Sequence, residues 1–404
     1  MFRKRRLLIL FFLLLPFVSG CWDSKEIDKR ANVLAIGIDA ASSKEQNSED
    51  AIAHLKNKLP IPNKDMIKMT AQIAVPGRIP LGPEQGGGSS QNPVLVIQVV
   101  GHTIDDAIVN LQQEVANQLF LGHLRIIVLN EKVARKGTKR FNDFLRRNPQ
   151  IRRTANLVVS KEKAATYMKV TPKLERIPSL YLADMVDNLA SLGKFPPSFI
   201  GLFWTIQSSK GQETYLPYFS IKNKSNIQLN GLAYFKGDRM VGKTSPLEIG
   251  DFMSVIGIRK GGYGAFSKVP GTNKVVMIGT KKRKTRIRVN LMNGKPHVLI
   301  KIRYECEIDE KGSPKIFIKD SNMIAKIENE FSKSVIKSIR GFIGKTQGAQ
   351  SDIFGFGEHF RAKMPKYWRG NVRTKEMWEE IYKDDLTFDI KVNTHINRVG
   401  MKAK

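Results

Sequence analysis

The sequence predicts a mixed α/β (α+β) chain of three domains, each with helices packed on a small mixed or antiparallel sheet. Three observations lead there. A regular strand–helix–strand–helix–strand passage runs from Val94 to Val159. From Thr214 the pattern changes to strands and turns. In the last third, a strict two-residue alternation from Val298 to Ile308 precedes a long amphipathic stretch from Asn322 to Ile343. Strands alternating with helices of this length predict some parallel pairing.

Taken in order, Val33–Asp39 reads as a first buried strand. Residues 40–64 are polar and broken by Pro60 and Pro62, and Met66–Val75 alternates like a strand. Pro76–Pro93, with Gly86, Gly87 and Gly88, reads as a flexible loop. Val94–Val100 is a strand. Thr103 can cap the following helix, with Asp106 three residues on. Ile104, Ile108, Leu111, Val115 and Leu119 then share one helical face. Arg125–Leu129 is a strand, Glu131–Arg147 a helix stopped by Asn148-Pro149, Ala155–Val159 a strand and Lys161–Val170 a helix. Pro172, Pro178, Pro196 and Pro197 punctuate the end of this passage. Tyr215–Ile221 and Ile227–Phe235 are strands, and Lys236-Gly237-Asp238 turns into Arg239–Val241. Ser245-Pro246-Leu247-Glu248 is a strong helix start, with cap, first-turn proline and capping glutamate. Gly257 ends that helix. A Gly-rich loop spans Gly261–Gly271, and Lys274–Ile278 is a strand. The Val298–Ile308 alternation puts Cys306 on the core face. Met377, Trp378 and Ile381 mark a shorter helix, and Leu386–Ile396 is a closing strand.

The first residues organise the rest. Arg3, Lys4, Arg5 and Arg6 precede an apolar run of 12 residues, Leu7–Val18. A membrane span needs roughly 20, so the run has the form of a secretory signal. It ends in Val18-Ser19-Gly20-Cys21, which resembles the lipobox of bacterial lipoproteins: an aliphatic residue, two small ones, then the cysteine whose thiol takes a diacylglycerol. The other reading is a plain secretory signal with a chance cysteine. Lipidation at Cys21 divides the chain into a lipoprotein signal peptide, 1–20, and a body. The body reads as an N-terminal mixed α/β domain, 21–197, a middle strand-rich domain with one helix, 198–285, and a C-terminal α+β domain, 286–404.

The net charge is +30. Removing the four leader cations leaves +26, enough to draw the body to anionic surfaces. The signal argues against nucleic acid and for head groups or wall polymers. With Cys21 lipidated, Cys306 has no partner, so no intrachain disulfide is expected.

Few patterns point to chemistry. Gly237–Thr244 fits the phosphate-cradling G-x-x-x-x-G-K-[ST] pattern. Against it, Lys236-Gly237-Asp238 reads as a tight turn, and the helix cap falls at Ser245, after Lys243 and Thr244. The six histidines (54, 102, 123, 297, 359, 395) show no i, i+4 pair and there is no C-x-x-C, so neither a metal nor a cofactor is expected. No G-x-S-x-G occurs. No catalytic set emerges, and the chain is not expected to be an enzyme. Lys281–Arg288 holds six cations in eight residues. It reads either as a solvated strand edge blunted by charge or as a contact for anionic lipid. Trp22 can sit at the membrane interface. Phe354, Phe356, Trp368 and Trp378 read as core.

Several of these stretches together resemble the C subunits of nutrient germinant receptors of endospore-forming bacteria, the GerAC, GerBC and GerKC type. They are the lipobox with Cys21-Trp22-Asp23, then Ile36-Gly37-Ile38-Asp39, Gly122–Val128, Arg146–Arg153, Gly231–Phe235 with Val241-Gly242, and Asp352–Glu358 with Trp368 and Trp378. The Gly86–Gly88 loop departs from the pattern. The resemblance implies a lipoprotein on the outer face of the spore inner membrane, held by lipid on Cys21; the charge reading adds the basic surface as a second contact to weigh. The resemblance also implies assembly with receptor A and B subunits to trigger germination, with no catalytic or cofactor residue. Two rivals stand beside it. A membrane-anchored solute-binding lipoprotein requires a closed pocket with convergent polar groups. An exported enzyme requires an acid–base or nucleophile set.

Overall fold

The computed structural model describes residues 29–47, 65–78, 92–170, 177–223, 225–313, 318 and 321–398. The leader, Cys21, Trp22 and the Gly86–Gly88 loop lie outside them. The architecture is mixed α/β, built on two sheets.

The first sheet has nine strands. They are β1 (Arg30–Ala40), β2 (Ile67–Ala74), β3 (Val94–Gly101), β4 (Gln118–Phe120), β5 (Ile126–Asn130), β6 (Asn156–Ser160), β7 (Tyr215–Lys222), β8 (Asn226–Lys236) and β9 (Arg239–Lys243). The order is β3-β2-β1-β5-β6-β7-β8-β9, with β4 beside the start of β1. The centre, β1-β5-β6-β7, is parallel, and the strands on both flanks are antiparallel. Its helices are α1 (Ser43–Asn47), α2 (Ile104–Glu114), α3 (Glu131–Lys136), α4 (Lys139–Arg147), α5 (Ala164–Tyr167), α6 (Pro178–Ser191) and α7 (Ile200–Gln207). Ile127, Leu129, Leu157 and Val159 face one core, with Phe141, Leu145 and Phe203. Ile126, Val128 and Val158 face another, with Leu182, Ala183 and Val186 of α6. Burial on both faces is why these strands read as continuous apolar runs.

The second sheet has the order β10-β11-β12-β13. Its strands are β10 (Gly264–Lys268), β11 (Val275–Met292), β12 (Lys295–Lys311) and β13 (Thr387–Arg398). β11 and β12 form a long hairpin, and β13 returns parallel to β12. Four helices cover one face: α8 (Pro246–Val255), α9 (Ser321–Gly348), α10 (Phe356–Lys363) and α11 (Lys375–Asp384). Val298, Ile300, Ile302, Tyr304 and Cys306 line that core; Cys306 has no solvent exposure. β8 belongs to both bodies: Ala233 and Phe235 enter the first core, Leu232 and Tyr234 the second.

The structure differs from the sequence reading at five places. The helix expected over Glu131–Arg147 is two helices broken at Gly137. Gly137 has φ +122°, and a Cβ there would meet Asp238 Oδ2 at 2.5 Å. The helix expected to reach Leu119 ends at Glu114. The Gln112 side chain bonds the carbonyls of Val115 and Asn117 and the N–H of Leu119, turning the chain into β4. The helix expected over Lys161–Val170 shrinks to the single turn of α5, whose first N–H groups, of Ala164 and Ala165, donate to the Asp39 carboxylate. Pro178 opens α6 as its first residue, a place where proline loses no hydrogen bond. The Gly-rich loop contains β10, and β11 runs on through the whole cationic stretch.

Candidate functional site

The phosphate-loop pattern folds as a hairpin. Gly237, at φ +59°, and Asp238 turn β8 into β9. Lys243 closes β9, and its Nζ donates to Glu131 Oε2 at 3.1 Å and Tyr218 Oη at 2.9 Å. Thr244 Oγ1 accepts from the Leu232 N–H at 2.9 Å. Ser245 then opens α8 with a complete capping box. The lysine that would reach a phosphate is held on the surface by Glu131 of α3 and Tyr218 of β7. Among the described residues no cluster of three metal-ligating side chains occurs.

The block Asp352–Glu358 forms a joint between the two bodies. Asp352 is 2% exposed. Its carboxylate accepts from the N–H groups of Gly355, Phe356 and Gly357 at 2.9, 3.2 and 2.9 Å and from Trp378 Nε1 at 2.9 Å. It therefore seals the positive end of α10. Burial lifts the carboxyl to about 6, against four donors that pull it down. Its backbone carbonyl accepts from the Glu213 N–H, and Gly211 N–H donates to Glu358 Oε1 at 2.8 Å. A Cβ on Gly211 would meet Gly357 C at 2.4 Å, so two glycines let the backbones touch. Phe354, Phe356, Trp368 and Trp378 pack in the core beside this joint, as the sequence predicts. Sequence reasoning selects the block but misses its partner, Ser209–Glu213; only the glycine at 211 hints at a close approach.

Two further carboxyls, in separate places, are buried. Glu213, 2% exposed, meets Lys375 Nζ at 3.0 Å, and burial still holds its carboxyl above the ordinary range. Asp251, 9% exposed, accepts from Ser338 Oγ at 2.5 Å; burial raises its carboxyl to about 7. With the folded pKa above the unfolded 3.8, the fold binds the extra proton between about pH 4 and 7. Stability from this group is therefore present below pH 4 and lost as pH rises through 7. Asp251→Asn is expected to raise stability by about 1–2 kcal/mol at pH 8 and by almost nothing at pH 4. Urea unfolding at the two pH values checks this; an equal effect at both overturns it.

The cationic run is divided by strand periodicity. Arg283 points inward and is 3% exposed. Its guanidinium donates to the carbonyls of Ile258 (2.7 Å), Lys260 (2.8 Å), Gly261 (2.8 Å) and Gly193 (3.3 Å), and to Ser254 Oγ (3.2 Å). Lys281 sits at a bulge and pairs with Glu307 and Asp309 at 3.4 and 3.3 Å. Lys282, Lys284, Arg286 and Arg288 project from the opposite, open face. There Lys284 stands opposite Arg303, and Arg286 opposite Lys301. A groove of about 570 Å³ runs beside them, lined by Arg259, Lys260 and Arg303.

A second cleft, of about 520 Å³, opens at the start of β5 and β6, where Gly122–Arg125 meets Asn156, Asp187 and Ser198. Arg125 is committed to Asp184 and Asp187 at 3.3 and 3.5 Å, and Asn156 Nδ2 donates to Asp187 at 3.2 Å. Asn156 Oδ1 and Ser198 Oγ are buried without a protein partner.

Two family models match in succession. Residues 23–221 match the spore germination protein N-terminal domain, and residues 230–400 match the spore germination B3/GerAC-like C-terminal domain. The chain is similar to spore germination protein KC of Bacillus subtilis (strain 168), 26% identical, covering 100% of this chain and 97% of that protein. It is similar to spore germination protein B3 of the same organism, 25% identical, covering 95% of each. It is also similar to spore germination protein GerQC of Bacillus cereus, 25% identical, covering 82% of this chain and 89% of that one. The crystal structure of the GerBC protein shares the fold, with a TM-score of 0.56 at 18% identity, covering 93% of this chain and all of that one. Among the described residues no helix is long and apolar enough to cross a membrane.

Proposed function

We propose, from the premise that this chain belongs to the GerAC-like family of spore germination proteins, that it is the lipid-anchored C subunit of a nutrient germinant receptor. In this reading a diacylglycerol on Cys21 holds the body on the outer face of the spore inner membrane. The body binds the receptor's A and B subunits and is needed for their assembly. The observation that carries the reading is the pair of family matches, in order, over almost the whole body, preceded by a leader that ends at Cys21. The seam at Asp352 and Glu213 supports a scaffold, because it spends buried polar groups on joining two bodies. No catalytic role is proposed.

The test is co-purification from spore inner membrane of the chain tagged near Lys404. A- and B-type subunits are expected to come with it. In parallel, under a wash of about 0.5 M salt that screens the basic surface, Cys21→Ala is expected to lower the membrane-bound fraction at least about ten-fold, since the acyl chains then supply most of the anchoring. A Cys21→Ala chain that stays at the membrane and supports germination sinks the anchor. If the tagged protein comes alone but retains a small metabolite, the solute-binding rival takes over. Its site would be the Gly122–Arg125 cleft, where two buried acceptors lack a protein partner.

A further inference from the structure

The open face of the second sheet carries Lys282, Lys284, Arg286 and Arg288 on β11, Lys301 and Arg303 on β12, and Lys391 on β13. All seven are exposed, and among the described residues none makes an ion pair within the sheet or with a helix. Across the strands the rows run Lys282–Glu305–His395, Lys284–Arg303–Asn393, Arg286–Lys301–Lys391 and Arg288–Leu299–Asp389, so two carboxylates stand among seven cations. Like charges directly opposite one another destabilise a sheet. A strand edge needs only one or two cations to stay soluble, so this array exceeds what edge protection asks. Next-but-one residues on a strand stand about 6.7 Å apart and neighbouring strands about 4.8 Å apart. The cations therefore form a regular array on one face of the sheet, able to meet several anions at once. At the hairpin tip, on the same face as Arg288, Met292 is 50% exposed, with Leu291 beside it at 37%.

We infer that this face docks on the phosphate head groups of an anionic phospholipid bilayer, with Leu291 and Met292 at its apolar margin. The inference rests on the anchored reading only for orientation. Eight positions separate Cys21 from Lys29, a reach of at most about 29 Å. From β1, the first strand after the tether, four contacts in series lead to the groove. Leu34 of β1 accepts from the Arg125 N–H; Arg125 pairs with Asp187 of α6; the end of α6 gives the Ser191 carbonyl to Lys260 Nζ; and Lys260 bridges to Lys282. A continuous path of contacts thus joins β1 to the cationic groove. A nucleic-acid strand fits less well. Such sites stack bases on aromatic rings, and the solvent-facing positions of β11 and β12 hold none from Lys282 to Met292 or from Leu299 to Glu305.

The test uses the mature chain, residues 21–404, with Cys21→Ser, so that neither the leader nor an acyl chain contributes, and flotation with equimolar phosphatidylglycerol–phosphatidylcholine vesicles. Binding is expected to vanish on pure phosphatidylcholine and on raising salt from about 0.05 to about 0.5 M. Lys284→Gln/Arg286→Gln/Lys301→Gln is expected to bind about a hundred-fold more weakly, at about five-fold per cation. Lys132→Gln/Lys333→Gln/Lys366→Gln, with the same change in charge elsewhere, is expected to bind like the unaltered face. Lys301→Glu, which sets a carboxylate opposite Arg286, keeps the fold and still loses at least about ten-fold. Equal losses in both triple variants overturn the inference, as does no loss in the first. Stronger binding to a single-stranded oligonucleotide than to vesicles overturns it too. Because no lipid is attached, the face can fail here while Cys21 anchoring stands, and the reverse.

Discussion

Asp352→Ala is expected to lower stability by about 3–5 kcal/mol, a large part of what a protein has. Four buried donors, the N–H groups of the cap residue Gly355 and of Phe356 and Gly357 that open α10 and the indole N–H of Trp378, would lose this carboxylate. Asp352→Asn restores the volume, but its amide turns one more donor toward them, so it is expected to recover less than half of the loss. The damage should reach beyond α10, because the Asp352 segment carries the bonds to Glu213 and Gly211. Urea unfolding, together with the near-ultraviolet signal of the Trp368–Trp378 pair, which packs at 5.6 Å between ring centroids, checks this. A loss below about 1 kcal/mol would show that water replaces the carboxylate and would sink the claim.

Arg283→Ala comes second, with an expected cost of about 3 kcal/mol, since it strands four carbonyls that share one guanidinium. Arg283→Lys is expected to recover little, because an ammonium cannot span acceptors set around a planar fork. Hydrogen exchange should report opening of the 258–262 loop and of the end of α6 in both variants. A loop protected as in the unaltered chain would falsify the assignment.

Strand and helix existence was legible where one face is buried: the Val298–Ile308 alternation placed Cys306 in the core, and Ser245–Glu248 marked the start of α8. What escaped the sequence was decided by distant partners. Glu131–Arg147 keeps a helical pattern throughout, and the break at Gly137 exists because the turn at Asp238 occupies the space. The six-cation run reads as one feature, yet Arg283 is a buried strut and its neighbours are a surface; only the register with Tyr304 and Arg303 separates them. The site residue foremost in the sequence, Cys21, lies outside the described residues, so its role rests on the leader pattern and the proposed test. Asp352–Glu358 stood out as a block, but its counterpart at Ser209–Glu213 carries no pattern of its own.

The strand β8 has a mechanical consequence. Its successive side chains are clamped in different cores, Ala233 and Phe235 in one, Leu232 and Tyr234 in the other. Rotating one body against the other would have to twist this strand about its own axis and pull large side chains from both cores at once. The protein therefore has no hinge there. A push delivered to the first sheet arrives at the second, and at its cationic face, as displacement of a rigid body.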